Sequence, residues 1–251
     1  SQRSRRCARR PEAHVRGLFV TGTDTDVGKS VVSAAICAAL AARGERVAAF
    51  KPVVTGLDEL RGACPGDHEL LASVASADQS PEDVAPYRFG PAASPHHAAQ
   101  RADTTIDPSR LVRAARAAGA EADALVVEGV GGLMVPLTPS YLIRDLAAEL
   151  ALAVIVVARP GLGTINHALL TVEAARAAGL TLAGVVMTPW PARPDPLEAS
   201  NRETVERVAS VPVSILSHTS RNLLAAAGDT LTLDAWLDAP VGGGRPVPAL
   251  A

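Results

Sequence analysis

Short apolar runs alternate along the chain with longer segments in which apolar residues recur at helical spacing. The runs are rich in valine and have almost no polar positions, as is typical of strands buried on both faces of a sheet. These predicted strands are Leu18–Thr21, Arg46–Phe50, Ala124–Val127, Ala153–Ala158, Leu182–Met187 and Val213–Leu216. The helical pattern covers Lys29–Ala42, Asp67–Ala77, Ser109–Ala118, Ile165–Ala178 and Leu197–Val208.

This alternation predicts an α/β fold: a single doubly wound, mostly parallel sheet with helices on both faces. We expect one domain over residues 17–238, because no linker or internal repeat interrupts the pattern. Residues 1–16 are rich in arginine and lack an apolar period, so we expect a disordered extension. Residues 239–251 are rich in glycine and proline, and we expect a flexible tail.

Charge and cysteine content narrow the functional classes. The formal net charge of the 251 residues is −2, so no overall basic field favours nucleic acid or membrane as a partner. The three cysteines are an odd number without metal-type spacing, which argues against a disulfide framework. A reducing cytoplasm is therefore the expected location.

The sequence contains only two lysines, Lys29 and Lys51, although lysine and arginine together number 24. Lys29 ends the string Gly-Thr-Asp-Thr-Asp-Val-Gly-Lys from residue 22, between a predicted strand and a predicted helix. Such a loop can hold phosphates through its backbone N–H groups and its lysine, while the Ser30 hydroxyl binds Mg²⁺. Lys51 follows the next predicted strand and begins Lys-Pro-Val-Val-Thr-Gly. Because a lysine is a compact point charge, both positions suggest contacts with anionic groups.

A magnesium site requires further oxygen ligands, usually one or two carboxylates beside the hydroxyl. Glu128 follows the predicted strand Ala124–Val127 and precedes a glycine cluster, so it should lie at the same sheet edge as Lys29. Asp67 begins the helix after the Lys51 loop. An N-cap remains the alternative for Asp67.

A second glycine-containing segment, Gly-Leu-Gly-Thr-Ile-Asn-His from residue 161, begins a predicted helix. Its free N–H groups and the helix dipole would favour a carboxylate or a phosphate, and the Asn166 amide could assist. An ordinary glycine turn with Thr164 as cap is the alternative.

Together these motifs resemble, in order, the signatures of the dethiobiotin synthase family, which has a P-loop NTPase-like fold. They are Gly-Thr-Asp-Thr-Asp-Val-Gly-Lys-Ser (22–30), Lys-Pro-Val-Val-Thr-Gly (51–56), Val-Glu-Gly-Val-Gly-Gly (127–132) and Gly-Thr-Ile-Asn-His (163–167). The likeness covers roughly residues 17–218. It implies a ligase of biotin biosynthesis that uses 7,8-diaminononanoate, CO₂ and ATP with Mg²⁺, and a homodimer.

The resemblance also implies roles for individual residues. Lys51, Lys29 and Thr25 would be catalytic. Nucleotide contacts would come from Asp26, Val27, Gly28, Lys29, Ser30, Val31, Asp67, Glu128, Gly129, Val130, Gly131, Thr188 and Pro189. Ser30, Asp67 and Glu128 would hold Mg²⁺. Substrate would be bound by Lys51, Thr55, Gly163, Thr164 and Asn166, the last three across a dimer interface.

Two departures concern the nucleotide base. Many relatives have an adenine-reading asparagine after the strand that here ends at Met187, whereas this chain continues Thr188-Pro189-Trp190. The usual proline-containing segment near the base is replaced by Ser-Ile-Leu-Ser-His at 214–218. A threonine has a single rotating hydroxyl in place of the paired donor and acceptor of an amide. We therefore expect loose base discrimination, with nucleoside triphosphates other than ATP also accepted.

Two other classes share the phosphate loop. A cobyrinate-type amide synthetase usually carries a fused glutaminase with a catalytic cysteine, and this chain has no cysteine in such a setting. A partition-type nucleotide switch typically has a lysine early in the loop, where this chain has Thr23 and Asp24. Both alternatives remain open on the residues alone.

Overall fold

The computed structural model, which describes residues 15–59 and 65–241, contains one central sheet of six strands. The strands are β1 Gly17–Gly22, β2 Val47–Phe50, β5 Ala124–Gly132, β8 Ala153–Ala158, β9 Leu182–Trp190 and β10 Val213–Ser217. Their order is β10-β9-β8-β1-β5-β2, and all neighbouring pairs are parallel. The predicted parallel sheet is confirmed.

Helices connect these strands, and two short strand pairs lie outside the sheet. The helices are α1 Lys29–Ala42, α2 Asp67–Val74, α3 Pro81–Val84, α4 Pro95–Arg101, α5 Pro108–Ala120, α6 Ile143–Leu150, α7 Thr164–Ala177, α8 Pro196–Ala209, α9 Leu224–Gly228 and α10 Leu233–Leu237, with a 3-10 turn at Arg221–Leu223. The small pairs are β3 Val53–Val54 with β4 Tyr87–Arg88, and β6 Pro136–Thr138 with β7 Tyr141–Leu142.

The sheet separates two apolar cores, as the continuous hydrophobic strands predict. Phe19 points to one core, which includes residues of α4 to α8. Its neighbours Leu18 and Val20 point to the other, which includes residues of α1, α2, α9 and α10. Successive side chains of a strand face opposite sides, so a strand without polar positions requires cover on both faces. This confirms the doubly wound arrangement.

Several predicted boundaries shift for local reasons. The helix predicted to end at Ala77 ends at Val74. The N–H groups of Ser76 and Ala77 instead donate to the carbonyl of Val47, each at 3.0 Å. They thus provide hydrogen bonds to a carbonyl of the edge strand β2. The strand predicted to end at Val127 continues to Gly132, because its glycines still pair with β1, as Gly132 does with Gly22. Glu128 is therefore within a strand, paired with Val20.

The predicted terminal segments fall largely outside the described residues. Of the arginine-rich extension 1–16, residues 1–14 are outside them, and of the tail 239–251, residues 242–251 are outside them. Within the described ranges, none of the helices combines the length and hydrophobicity needed to span a bilayer.

Candidate active site

The loop between β1 and α1 has a backbone that requires glycine at its end. Gly28 has φ +98°, and a Cβ there would lie 2.7 Å from Cγ2 of Thr188 on β9. The left-handed conformation and the close approach both exclude larger residues. The loop also donates from Thr23 N–H to the Val157 carbonyl of β8, at 2.9 Å. The loop is therefore held against two neighbouring strands.

The N-terminus of α1 faces the site with its first-turn N–H groups. Gly28 is the N-cap, and no side chain among the described residues caps the helix there. The first N–H groups of a helix have no acceptor within the helix and carry partial positive charge. Lys29, Ser30 and Val31 therefore present a backbone site for an anion.

Lys29 is buried, and its Nζ donates to the carbonyl oxygen of Asp24 in its own loop at 2.7 Å. Burial lowers the pKa of this ammonium, and repulsion from Lys51 acts in the same direction, whereas Glu128 opposes it. A cation that is poorly compensated by the protein is suited to bind an incoming phosphate.

Lys51 is also buried, but it lies between two carboxylates. Its Nζ is 2.5 Å from Oε1 of Glu128 and 2.8 Å from Oδ2 of Asp67. Burial by itself would lower the pKa of Lys51, yet attraction to Glu128 and Asp67 outweighs this effect and raises it. Lys51 is therefore a cation whose charge the protein maintains.

Glu128 connects this ion pair to the phosphate loop. Its Oε1 accepts from the Ser30 hydroxyl at 2.8 Å, and the side chain is 0% exposed. Its Oε2 is buried without a hydrogen-bond partner in the described part of the chain. Burial raises the pKa of Glu128, and Lys51 counteracts part of that rise.

The predicted magnesium ligands are chemically suitable for that ion. Ser30, Asp67 and Glu128 supply only oxygen atoms, and Oε2 of Glu128 is an acceptor without a donor. Within residues 15–59 and 65–241, no three His, Cys, Asp or Glu side chains group as a metal site by themselves. Magnesium usually binds one or two carboxylates and completes its shell with water and substrate phosphates. The residues fit such a site.

A cavity of about 590 Å³ brings most of the predicted residues together. Its walls include Thr25, Asp26, Gly28, Lys29, Ser30, Val31, Lys51, Thr55, Asp67, Glu128, Val130 and Gly131. Val53, Glu59 and Pro65 also line it and were not predicted. The two lysines thus face one shared space, with the predicted metal ligands beside them.

Other predicted residues do not line this cavity. The Val27 side chain belongs to the apolar core, and Gly129 packs near Phe19 and Ile143. Thr188 is buried against Gly28, and Pro189 is exposed. Gly163, Thr164 and Asn166 are not among the residues that line the cavity.

The segment before α7 is held by two residues that no motif marks. Asn201 of α8 donates from Nδ2 to the carbonyls of Pro160 at 2.9 Å and Gly161 at 3.2 Å. Arg159 donates from Nη2 to the Asp26 carbonyl at 3.2 Å. A sequence signal for Asn201 did exist, since it shares a stripe of four-residue spacing with Val205 and Ala209, a stripe that should be apolar.

The chain is similar in sequence to known proteins. Residues 16–221 match the family described as an AAA domain. The ATP-dependent dethiobiotin synthetase BioD of Anaeromyxobacter dehalogenans (strain 2CP-1) is 43% identical over 194 residues, which are 77% of this chain and 86% of that protein. The protein of the same name from Bacillus subtilis (strain 168) is 36% identical over 199 residues, 79% of this chain and 85% of that one. These relatives favour neither a cobyrinate-type synthetase nor a partition switch.

Among solved structures, the cell division ATPase MinD from Pyrococcus furiosus is similar to this chain at 15% identity and a TM-score of 0.49. The similarity covers 86% of this chain and 98% of that one. It is too distant to bear on function.

Proposed function

Because this chain belongs to the ATP-dependent dethiobiotin synthetase family, we propose that its cavity forms dethiobiotin from 7,8-diaminononanoate, CO₂ and ATP. One amine of the substrate adds to CO₂ and loses a proton, which gives a carbamate. A carbamate oxygen attacks the γ-phosphorus of ATP, and ADP leaves. The second amine then attacks the carbamate carbon and loses a proton, and phosphate departs as the ureido ring closes.

The observation that supports this proposal is that Lys29 and Lys51 line one cavity beside Ser30, Asp67 and Glu128. Phosphoryl transfer depends mainly on positioning and on neutralising negative charge. The first turn of α1 and Lys29 bind the nucleotide phosphates. Lys29 leaves the Asp24 carbonyl to do so, which exchanges a neutral acceptor for an anionic one.

Lys51 acts where the carbamate meets the terminal phosphate. Its ammonium offsets negative charge as that charge redistributes among the carbamate oxygen, the γ-phosphate oxygens and the leaving ADP oxygen. Glu128 and Asp67 keep it protonated and aimed into the cavity. Thr25 and Thr55, which line the same cavity, position the diamine and the carbamate through their hydroxyls.

Ser30, Asp67 and Glu128 would hold Mg²⁺, which would neutralise phosphate charge when bound. Two of these ligands already contact Lys51. The carboxylates thus serve both cations, so the position of Lys51 depends on the same groups that would bind the metal.

The proposed activity is tested by incubating the protein with diaminononanoate, ¹³C-bicarbonate and MgATP. We expect a cyclic urea that carries the label, together with ADP and phosphate, detected by mass spectrometry. Omission of the diamine is the control. A phosphate release that does not require the diamine, with no labelled product, would contradict the proposal.

Loose base selection is the first prediction at this site. Thr188 is buried against Gly28, so its hydroxyl has little freedom to reach a base. We expect kcat/KM values for ATP, CTP and GTP that lie within about a hundredfold of one another, since a well-placed hydrogen bond contributes about 0.5–1.5 kcal/mol. Inorganic tripolyphosphate, which lacks a base, should compete with ATP. A preference for ATP beyond a hundredfold would show that other groups read adenine.

Homodimer formation is part of the proposal, because the segment predicted to bind the substrate carboxylate does not line the cavity of its own chain. The segment instead presents apolar surface: Leu162 is 90% exposed, and Leu170 of α7 is also exposed. We propose that this face pairs with a second copy, whose cavity receives the Asn166 side chain and the backbone at Gly163 and Thr164.

The second prediction follows from this exposed leucine. Leu162→Asp should convert dimers to monomers in sedimentation experiments at micromolar protein, because a buried charge opposes association. Leu223→Asp is the matched control, since Leu223 is 53% exposed in the 3-10 turn after β10. A wild-type monomer, or equal dissociation of both variants, would argue against this interface.

A further inference from the structure

Asn201 is a buried amide in a helix that otherwise packs with apolar residues. It is 4% exposed and lies one and two helical turns before Val205 and Ala209, both of which belong to the core. A buried amide costs free energy unless it forms hydrogen bonds. Its presence at a position where an apolar residue would pack therefore calls for a structural or functional reason.

The contacts of Asn201 provide that reason. Both of its bonds come from Nδ2 and end on successive carbonyl oxygens, those of Pro160 and Gly161, some 40 residues away in the sequence. This pair immediately precedes the glycine turn that begins α7. An amide nitrogen has two donor hydrogens, so both are used on this one segment.

Fixing these carbonyls orients the rest of the turn. The Gly161 carbonyl also accepts from Thr164 N–H at 3.2 Å, and Gly163 has φ +90°. Thr164 is 5% exposed, and its hydroxyl has no partner in the described residues. The turn therefore directs two carbonyls to α8, and the next N–H groups, those of Ile165 and Asn166, have no acceptor within the helix. The unbonded Thr164 hydroxyl is buried beside them.

We propose that Asn201 is a positioning residue for the substrate carboxylate. It does not touch the substrate but holds the Pro160–Gly161 backbone, so that the N-terminus of α7 presents its N–H groups in a fixed direction. This inference rests on the proposed function, which supplies the carboxylate-bearing diamine. Arg159, which binds the Asp26 carbonyl, fixes the same segment at its other end against the phosphate loop.

The test is a pair of alanine substitutions on one helix. Asn201→Ala removes both bonds, and alanine favours the helix, so the variant should fold. We expect the KM for diaminononanoate to rise about tenfold or more, the scale of one charge-assisted hydrogen bond, with the KM for ATP and kcat within about twofold of wild type. Asn201→Asp, which keeps the shape but removes the two N–H donors, should behave in the same way.

Val205→Ala is the matched control, because it also truncates a buried residue of α8 but leaves the amide in place. It should lower Tm without changing the KM for the diamine. Calorimetry without nucleotide adds a readout other than activity. Asn201→Ala should weaken binding of diaminononanoate but not of the same vicinal diamine without its carboxylate.

An unchanged KM for the diamine in both Asn201 variants would overturn the inference. An equal rise of the KM for the diamine in Val205→Ala would also overturn it, as would an equal loss of affinity for the diamine without a carboxylate. Either result would mean that the substitution disturbs the packing of α8 in general. These outcomes test the inference when the wild-type protein forms the cyclic urea. A wild type that forms none would instead refute the proposed function, and the inference with it.

Discussion

Replacement of Lys51 by glutamine is expected to lower kcat about 10²–10³-fold, the usual effect of removing one group that stabilises transition-state charge. Nucleotide affinity should change little, because in our proposal Lys29 and the first turn of α1 hold the phosphates. In the proposed role the contact of Lys51 strengthens in the transition state, so its loss should appear in kcat. Steady-state kinetics and calorimetry with a non-hydrolysable ATP analogue separate the two effects.

The same substitution should also lower the free energy of unfolding, by about 3–5 kcal/mol if Glu128 stays charged, because breaking a buried ion pair leaves an uncompensated charge. The double variant Lys51→Gln, Glu128→Gln removes both charges and should recover most of this stability in urea unfolding without restoring turnover. If the single variant keeps most of its kcat, the catalytic role of Lys51 is wrong. If the double variant recovers turnover, the defect was one of folding.

Replacement of Lys29 by glutamine should weaken nucleotide binding about 10²-fold, since charge-assisted hydrogen bonds contribute about 1.5–3 kcal/mol. Stability should not fall. Burial lowers the pKa of Lys29, so the folded protein holds the protonated lysine less readily than the unfolded chain does. Replacing Lys29 therefore removes an unfavourable contribution to the free energy of folding. Calorimetry with ADP and urea unfolding measure the two quantities.

Arg43→Gln is the charge-matched control at the opposite end of α1, where Arg43 pairs with Asp229 at 2.7 Å on the surface. It should leave nucleotide affinity unchanged and cost at most about 1 kcal/mol of stability. A Lys29→Gln protein that binds ADP as wild type does would refute the phosphate-binding role. A marked loss of its stability would show that the bond to the Asp24 carbonyl matters more than the cost of burial.

Much of the fold could be predicted because its signals are local. The helix Lys29–Ala42 and the strand Ala153–Ala158 were predicted residue for residue. The helix has an apolar period between Gly28 and Gly44, and the strand is a continuous apolar run that ends before Arg159. The short helix α6 was missed, although Ile143 to Leu150 is amphipathic, because it follows the small β6–β7 pair directly and no loop signal separates them. The helices α9 and α10 have only five residues each and were missed for lack of a period.

The candidate site likewise contains some features that the sequence predicted and others that it did not. Because parallel strands have their carboxyl ends at one edge, the sequence predicted that Lys29, Lys51 and Glu128 would lie together. It did not predict that Lys51 is placed between Glu128 and Asp67, because a helix start does not reveal the direction of its side chains. Asn201 could not be connected to Pro160 for a different reason: that contact depends on how α8 packs beside α7, which no local pattern encodes.

The packing of Thr188 on Gly28 limits how nucleotide preference can be redesigned. The methyl group of Thr188 already occupies the space where a Cβ on Gly28 would lie. A bulkier residue introduced at 188 to recognise adenine would displace the Gly28 backbone, which belongs to the loop that we propose binds the phosphates. A gain in base recognition would therefore be accompanied by weaker binding of the triphosphate. Engineering of base preference should therefore begin at the exposed Pro189 or at the 214–218 segment, and leave Thr188 in place.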